Sequence, residues 1–264
     1  MRMFVWHEDD SLLHRLNPLS KLALNVAVAL LVITMFEPTV PFLIGLLALL
    51  ATRLVGRVPW PALLRPLAFA SIAAFGTFVP GALFYAGPGS EPGASAVSLG
   101  PWSVPTAALV YGATLTARLF AVFATSMLFV LTTEPTSFVL ALIQQLHVSP
   151  RIGYSVFTAY RFAPLLQDEL DNIRAAYQMR GGTGTGPLAR AREMLGYAIP
   201  LLATAVRKGE QVSLAMESRA FGALSERTYY RVTALTRADA LFIAASFSVL
   251  AALLVFQAVM AGSH

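Results

Sequence analysis

The sequence predicts an all-α, polytopic membrane protein with about five transmembrane helices and a cytoplasmic region of long amphipathic helices. Composition is the first reason: 56% of the 264 residues are hydrophobic and 12% are charged, whereas soluble domains carry about 25% charged residues. The second reason is a set of five apolar stretches. The third is the long segment before the last stretch, in which apolar residues recur at helical spacing.

Each apolar stretch is predicted to be a helix that crosses a bilayer, which needs about 17 to 25 mostly apolar residues. The third stretch contains Arg65 near one end, the fourth contains Arg118, and the fifth contains no charge. The first two stretches are short, so we expect their helices to extend into the polar flanks. The five predicted spans are Leu22–Phe36, Thr39–Thr52, Ala62–Phe84, Val104–Leu131 and Ala240–Ala261.

The positions of lysine and arginine predict which side of the membrane each connection occupies. Basic residues precede the first span and follow the second, and 12 of the 19 lie in residues 132–237. The Gly/Pro/Ser-rich loop from Gly87 to Pro101 has none. We therefore predict a multi-pass protein of the inner or plasma membrane. Its N-terminus and its 132–236 region face the cytoplasm, and the 87–101 loop and the C-terminus face outside.

Two series of apolar residues in steps of three and four predict two long amphipathic helices in the cytoplasmic region. The segment Gly181–Pro187 between them cannot continue a helix, so we expect a sharp break there. Pro164 and Pro200 should kink the helices. The first series is Ile152, Val156, Ala159, Ala163, Leu166, Leu170, Ile173 and Tyr177, and the second is Leu188, Ala191, Leu195, Ala198, Leu202, Ala205, Val212 and Met216.

The predicted organisation therefore has three parts. Residues 1–131 form an N-terminal transmembrane region of four spans, residues 132–236 form the cytoplasmic region, and residues 237–264 contain the last span.

The sequence lacks the residues that common catalytic sites need. It has no cysteine, which excludes disulfides, thiolate metal sites and a cysteine nucleophile. It has no glycine-rich loop ending in Gly-Lys-Ser or Gly-Lys-Thr, and its histidines form no pair at metal-binding spacing. We therefore expect no enzyme activity, no metal and no cofactor. Membrane topology explains the net charge of +5, so we expect no nucleic-acid partner.

Six short segments depart from the apolar pattern and together resemble one family, the transmembrane T component of energy-coupling-factor (ECF) transporters. The resemblance covers roughly residues 11–236, and it depends on the order of the segments along the predicted topology. The segments are Leu13–Leu22, Thr116–Leu119, Thr132–Pro135, Tyr160–Pro164 at the start of the cytoplasmic helix, Ala176–Gly181 and Ala215–Gly222.

The resemblance implies a non-catalytic subunit that holds two cytoplasmic ABC-type ATPases and one membrane-embedded, substrate-binding S component. It implies that ATP is bound by the ATPase subunits, and that ATP-driven motion passes through two coupling helices to the S component. The cargo of such systems is a vitamin or a metal ion. The 132–236 region would then be the coupling-helix region.

In the family, each coupling helix finishes in an Ala-Arg-Gly-type motif. The resemblance assigns the ATPase-coupling motifs to the ends of the two predicted helices: Met179, Arg180 and Gly181 in the first, and Ser218, Arg219 and Ala220 in the second. Supporting structural or coupling roles fall to Arg118, Arg161, Pro164 and Glu217. An arginine at a helix end offers a planar fork of donors that suits a partner's carboxylates.

Other interpretations remain open for these residues. Arg180 and Arg219 could each bond the last carbonyls of their own helices. Ala220 cannot take a left-handed backbone cheaply, which leaves the end of the second helix open, with Gly222 as a candidate cap. Arg118 is expected to be buried against a polar partner.

Two other functions are also compatible with the sequence. One is an ABC permease that lines its own substrate path. The other is a membrane scaffold with no part in transport, which holds its partners through the amphipathic helices.

Overall fold

The computed structural model describes residues 11–85, 87, 96–99, 102–179, 187–221, 229 and 231–261. The chain divides into two compact units. Unit 1 comprises Met1–Ala141 and Thr233–His264, and unit 2 comprises Leu142–Val232. The predicted all-α class is confirmed, because nearly every described element is a helix.

Unit 1 contains the apolar helices and one short hairpin. Its elements are α1 (Leu12–Arg15), α2 (Pro18–Ile33), α3 (Thr39–Leu54), α4 (Trp60–Leu83), β1 (Ala96–Leu99), β2 (Trp102–Pro105), α5 (Thr106–Thr132) and α9 (Arg237–Ala261). The helix α6 (Pro135–Gln145) leads into unit 2, which contains α7 (Pro150–Met179) and α8 (Pro187–Ser218).

Among the described helices, α4, α5 and α9 are long and apolar enough to cross a membrane. The helices α2 and α3 are apolar but have 16 residues each, about 24 Å at 1.5 Å per residue. A bilayer core is about 30 Å thick. The five predicted spans are therefore present as three full-length helices and two short ones.

The strands β1 and β2 lie within and directly after the segment predicted as a loop. They pair antiparallel, with Val97 opposite Val104 and Leu99 opposite Trp102, and with a serine pair between these two apolar pairs. Each strand has only four residues. The sequence prediction therefore followed the Gly/Pro/Ser content of the surrounding segment, which indicates a loop.

The start of α2 is fixed by its own sequence. The Asn17 side chain accepts a hydrogen bond from the Leu19 N–H (2.9 Å), and Pro18 occupies the first helical position. Asparagine is a preferred N-cap residue, and proline is tolerated where no backbone donor is needed. The helix therefore begins four residues before the predicted span, and it includes Lys21.

Lys21 is buried, and it connects α2 to the end of α5. Its ammonium donates to the Thr132 carbonyl (2.7 Å) and to the hydroxyls of Thr132 (3.3 Å) and Thr133 (3.4 Å). The Asp239 carboxylate also attracts it electrostatically. A buried charge is tolerated only when it is paired and hydrogen-bonded. These contacts therefore set the position of α2 against α5.

Asp239 connects α9 to the same place. Thr236 and Asp239 form a capping box at the start of α9. The Thr236 N–H donates to one Asp239 oxygen (2.7 Å), and the Asp239 N–H donates to the Thr236 hydroxyl (3.4 Å). The other Asp239 oxygen accepts from the Asn17 N–H at 2.6 Å. The carboxylate thus caps its own helix and bonds the residue that caps α2.

The helix α5 packs against α2, α3 and α4. Its approach to α4 is close at two glycines: a Cβ added at Gly112 would lie 2.9 Å from the Phe78 carbonyl oxygen, and one at Gly81 would lie 3.1 Å from the Gly112 Cα. Small residues allow such close backbone approach between membrane helices, where van der Waals packing is a main source of association.

Arg118, the one charged residue of α5, bonds the end of α2. Its Nε donates to the Met35 carbonyl at 2.9 Å, its Nη2 donates to the same oxygen, and its guanidinium lies 5.7 Å from the centre of the Phe36 ring. The Thr114 hydroxyl donates to the Phe36 carbonyl at 3.0 Å. Arg118 therefore satisfies a carbonyl beyond the end of α2. The polar partner that the sequence predicted is present, but the arginine is half-buried and not fully buried.

We predict that Arg118→Leu destabilises the protein by about 1–3 kcal/mol, because it leaves the buried Met35 carbonyl without its donor. Arg118→Lys should recover part of the loss. The measurement is thermal unfolding of the purified protein in detergent. Arg65→Leu, which changes an exposed arginine of α4, is the control. Equal unfolding temperatures for Arg118→Leu and the unchanged protein would contradict the assigned role.

Candidate functional site

The candidate site is the helix pair of unit 2. The Tyr177 and Tyr197 rings meet edge to face at 5.1 Å, and the Tyr177 hydroxyl donates to the Gly196 carbonyl at 3.3 Å. Further along, the Lys208 ammonium lies 4.0 Å from a Glu169 carboxylate oxygen. As residue numbers fall along α7, the numbers of their partners rise along α8. The two helices are therefore antiparallel.

This antiparallel arrangement separates the ends that carry the predicted motifs. Met179, the last residue of α7, lies two residues beyond Tyr177, which contacts Tyr197 of α8, whereas Phe221, just after α8, packs against Tyr154 near the start of α7. Tyr154 and Met179 are about 38 Å apart along the helix at 1.5 Å per residue. The two motif ends thus lie at opposite ends of one helix pair.

The end of α8 has a defined backbone geometry. The Phe221 N–H donates to the Met216 carbonyl (3.0 Å), and the Ala220 N–H donates to the Glu217 carbonyl (2.9 Å). With Ala220 at φ 55°, this is a Schellman motif in which alanine occupies the usual glycine position. The cap is therefore Ala220 itself, which the sequence analysis did not expect, and Gly222 lies outside the described residues.

Arg219 is exposed at this helix end. Its backbone N–H bonds the Met216 carbonyl at 3.2 Å, but within the described part of the chain nothing bonds its guanidinium. The interpretation in which Arg219 serves the carbonyls of its own helix has no contact to support it. The five donors of its guanidinium are accessible from solvent.

The other predicted site residues do not form one cluster. Met179 is 84% exposed, and the Ser218 hydroxyl bonds the Ala215 carbonyl at 3.0 Å. Arg161 and Pro164 are exposed in the middle of α7, which begins at Pro150, so the Tyr160–Pro164 segment does not open this helix as predicted. Arg180 and Gly181 lie outside the described residues, and Arg118 belongs to unit 1.

The apolar residues of α7 and α8 divide into a packed set and an exposed set. Leu170, Ile173 and Tyr177 in α7 are half-buried, but the earlier members Ile152 and Val156 are exposed. On α8, some members of the predicted apolar series are exposed, among them Leu195 and Leu202. Four exposed residues at steps of four and three form what we call the outer face of α8: Leu195, Ile199, Leu202 and Val206.

Sequence reasoning missed the contacts that hold the two helices together. The sequence placed Glu169 on a solvated face and Lys208 off the apolar stripe, and it offered no partner for Tyr197, because the pattern of a polar residue on an amphipathic helix is the same whether or not it pairs. The capping box at Thr236 and Asp239 had a readable signal, a threonine followed three residues later by an acidic residue before an apolar run. Among the described residues, no group of three histidine, aspartate or glutamate side chains could hold a metal.

We predict that Ala220→Gly stabilises the end of α8 by about 1 kcal/mol, because glycine adopts φ near 55° without the penalty paid by alanine. The amides of Ala220 and Phe221 should exchange their hydrogens about fivefold more slowly, measured by mass spectrometry. Ala215→Gly, inside the same helix and exposed, should have the opposite effect. Faster exchange in Ala220→Gly would contradict the cap geometry.

Comparison with known proteins identifies the family. The family model CbiQ, described as cobalt transport protein, matches residues 9–230. The chain is 32% identical over 242 residues to the energy-coupling factor transporter transmembrane protein EcfT of Heliobacterium modesticaldum, covering 87% of each chain. It is 29% identical over 257 residues to the EcfT protein of Bacillus subtilis, covering 93% of this chain and 94% of the relative.

A third relative differs in length. The chain is 29% identical over 171 residues to a putative ABC transporter ATP-binding protein of Bifidobacterium longum, covering 61% of this chain and 22% of that protein. The family model covers most of the chain, and the long relatives are named as transporter transmembrane proteins. The chain therefore belongs to the CbiQ family and is a multi-pass transmembrane component of the ECF transporter type.

Proposed function

We propose that this chain is the coupling subunit of an ECF-type importer, which transmits the ATP-driven motion of two ATPases to a substrate-binding S component. The observation that carries the proposal is the geometry of unit 2. Two helix ends, one with a free arginine side chain at Arg219, lie at opposite ends of an antiparallel pair. Such a pair offers two separate docking points to two similar ATPases.

The docking chemistry is bidentate pairing of arginine with carboxylates. The Schellman turn holds Arg219 between the last helical residue, Ser218, and the left-handed Ala220, so its backbone position is fixed. A guanidinium presented in this way forms two parallel hydrogen bonds to a carboxylate in a partner's groove. By the family resemblance, Arg180 plays the same part at the end of α7.

The S component would bind an apolar surface, because it is itself embedded in the membrane. The outer face of α8 supplies one, since Leu195 and Ile199 are more than 70% exposed. A row of large apolar side chains of this kind marks an interaction surface. We propose that this row, which no described residue of unit 2 covers, contacts the S component.

ATP would be bound by the ATPase subunits and not by this chain, which is non-catalytic. The relative from Bifidobacterium longum supports an ATPase connection, because a segment similar to this chain lies in a protein named for ATP binding. The orientation follows the distribution of arginine, with the N-terminus and unit 2 in the cytoplasm. The cargo would be a vitamin or a metal ion.

The permease alternative requires a polar path through the spans. The cavity described among α2, α3, α5 and α9 is lined almost wholly by apolar side chains, which does not suit a polar substrate. The scaffold alternative predicts partners but no dependence on ATPases, so ATPase recovery with arginine variants separates it from the proposal.

We predict that Arg180→Ala combined with Arg219→Ala abolishes co-purification of the ATPases, while each single change leaves a weakened complex, because one docking point remains. Lysine at both positions should restore binding only in part, since an ammonium cannot form the bidentate pair. The control combines Arg174→Ala and Arg207→Ala, two exposed arginines inside the same helices. Full ATPase recovery with the double variant, at equal membrane expression, would contradict this docking.

We predict that Leu202→Asp weakens retention of the S component but leaves ATPase binding intact, because Leu202 belongs to the outer face of α8. Leu214→Asp is a matched control: both leucines are 66% exposed, but they lie about 120° apart around the helix. Retention of each partner is measured by co-purification, and uptake by transport into vesicles. Equal retention of the S component in both variants would argue against this surface.

A further inference from the structure

The chain passes between its two units twice. It enters unit 2 within α6, which only Thr133 and Glu134 separate from the end of α5, and it re-enters unit 1 shortly before α9. We call residues 133–145, which include α6, the first crossing. Residues 233–240, which include the first turn of α9, are the second crossing. Any motion of unit 2 relative to unit 1 is passed on through these two segments of backbone.

The first crossing is tied to the end of α5 by its own side chains. The Ser137 hydroxyl donates to one oxygen of the Glu134 carboxylate at 2.6 Å, and the Thr136 hydroxyl donates to the other oxygen. The Phe138 ring of α6 meets the Phe129 ring of α5 edge to face at 5.4 Å, a favoured arrangement of two aromatic rings. These contacts link the first turn of α6 to the last turn of α5.

Lys21 of α2 holds the place where α5 ends. Its ammonium donates at 2.7 Å to the Thr132 carbonyl, one of the last carbonyls of a helix, which have no partner within the helix itself. It also donates to the Thr133 hydroxyl at 3.4 Å, and the backbone of Thr133 is extended and no longer helical. The first crossing is therefore attached to α2 at the residues where the backbone leaves α5.

Asn17, at the start of the same helix, holds the second crossing. Its backbone N–H donates to one oxygen of the Asp239 carboxylate at 2.6 Å. The other oxygen accepts from the N–H and from the hydroxyl of Thr236, both at 2.7 Å. These bonds fix the first turn of α9 to the start of α2. Asp239 also attracts the Lys21 ammonium electrostatically, so one polar network holds both crossings.

We call this network the α2 anchor, and its members are Asn17, Lys21, Thr132, Thr133 and Asp239. All five residues are buried, although Lys21 and Thr132 are 111 residues apart in the sequence and Asn17 and Asp239 are 222 apart. A buried charge is costly when it loses its partners. Displacement of either crossing away from α2 would remove such partners, so the α2 anchor opposes it.

We propose that the α2 anchor is the fixed point against which unit 2 moves during transport. It holds both crossings in place, so that a displacement of the ATPases moves unit 2 as a body and reaches the S component. Without the anchor, the same displacement would be taken up by rearrangement of the crossings. Lys21 is then a positioning residue, because its buried ammonium acts through Thr132 and Asp239. This inference rests on the proposed coupling function, and it adds where in the chain the motion is resisted.

The first test is hydrogen exchange of the full-length chain in detergent, measured by mass spectrometry. The reporters are the Phe138 N–H, which bonds the Glu134 carbonyl at 3.0 Å, and the Ala240 N–H, which bonds the Thr236 carbonyl at 3.2 Å. We expect Lys21→Met to speed exchange at both crossings about tenfold, the ratio that corresponds to one charge-assisted hydrogen bond. Lys21→Arg should restore part of the protection. Faster exchange at one crossing only, or at neither, would overturn the shared anchor.

Asn25→Leu is the matched control. Asn25 lies about one helical turn after Lys21 on α2, and its side chain also bonds α5, through Thr125 (3.0 Å) and Ser126 (3.2 Å). Both of these partners lie inside α5 and outside the crossings. The variant should therefore lower the unfolding temperature but leave exchange at the crossings unchanged. If Lys21→Met does not fold, Thr133→Val, which removes only the bond at 3.4 Å, takes its place with an expected effect of about threefold.

The second test measures the motion in the complex with the ATPases that co-purify with the chain. The chain has no cysteine, so Ser71→Cys in α4 and Ser155→Cys in α7, both at exposed positions, place two spin labels on it, one in each unit. We expect a nonhydrolysable ATP analogue to shift the distance between the labels in the otherwise unchanged chain and in Asn25→Leu. In Lys21→Met the shift should be lost, although the ATPases stay bound and hydrolyse ATP.

The outcomes separate this inference from the proposed function. A label distance that does not respond to the nucleotide in the otherwise unchanged chain would overturn the coupling function itself. A normal shift in Lys21→Met, at equal ATPase binding, would overturn the α2 anchor alone. A shift that is lost equally in Asn25→Leu would also overturn it, because general packing of α2 on α5 would then be what the motion requires.

Discussion

The buried polar network around Lys21 fixes the arrangement of unit 1. Its ammonium bonds the end of α5 through the Thr132 carbonyl, and Asp239 at the start of α9 attracts it and bonds the backbone of Asn17. Between apolar helices there is little hydrophobic driving force in lipid, so polar contacts and close packing select one arrangement. A buried charge also makes other arrangements costly, because each would leave the ammonium unpaired.

Polar contacts from α5 also hold the other end of the short helix α2. Arg118 bonds the Met35 carbonyl and Thr114 bonds the Phe36 carbonyl, which are backbone groups just beyond the last turn. An unpaired backbone carbonyl is expensive in an apolar environment. A helix of 16 residues can therefore belong to the membrane region because side chains of the longer α5 satisfy the backbone beyond its end.

Unit 2 combines a packed helix pair with exposed groups that could bind partners. Aromatic contacts at both ends of the pair and the Lys208–Glu169 pair hold α7 against α8. The exposed Arg219 and the outer face of α8 make no contact with the described residues that would explain them. Helices that present an unbonded arginine and an exposed apolar row suit a subunit whose partners supply the missing contacts. In this proposal the chain transmits motion from the ATPases to the S component.

Composition and helical periodicity are local properties, and from them the sequence predicted the helical class, the apolar helices and the two long helices of unit 2. The order of its short polar segments carried the family resemblance. The sequence also contained the cap signals at Asn17 and at Thr236–Asp239. The remaining features depend on contacts between residues that are far apart in the sequence, and these came from the fold. It showed that Lys21 reaches Thr132, 111 residues away, and that antiparallel packing puts the two motif ends far apart. It also showed that Ala220 adopts the left-handed cap conformation, which alanine disfavours. Directly after this turn, the Phe221 ring packs on Tyr154. Which face of an amphipathic helix is covered depends on its neighbours, and a pattern along one chain segment does not name them.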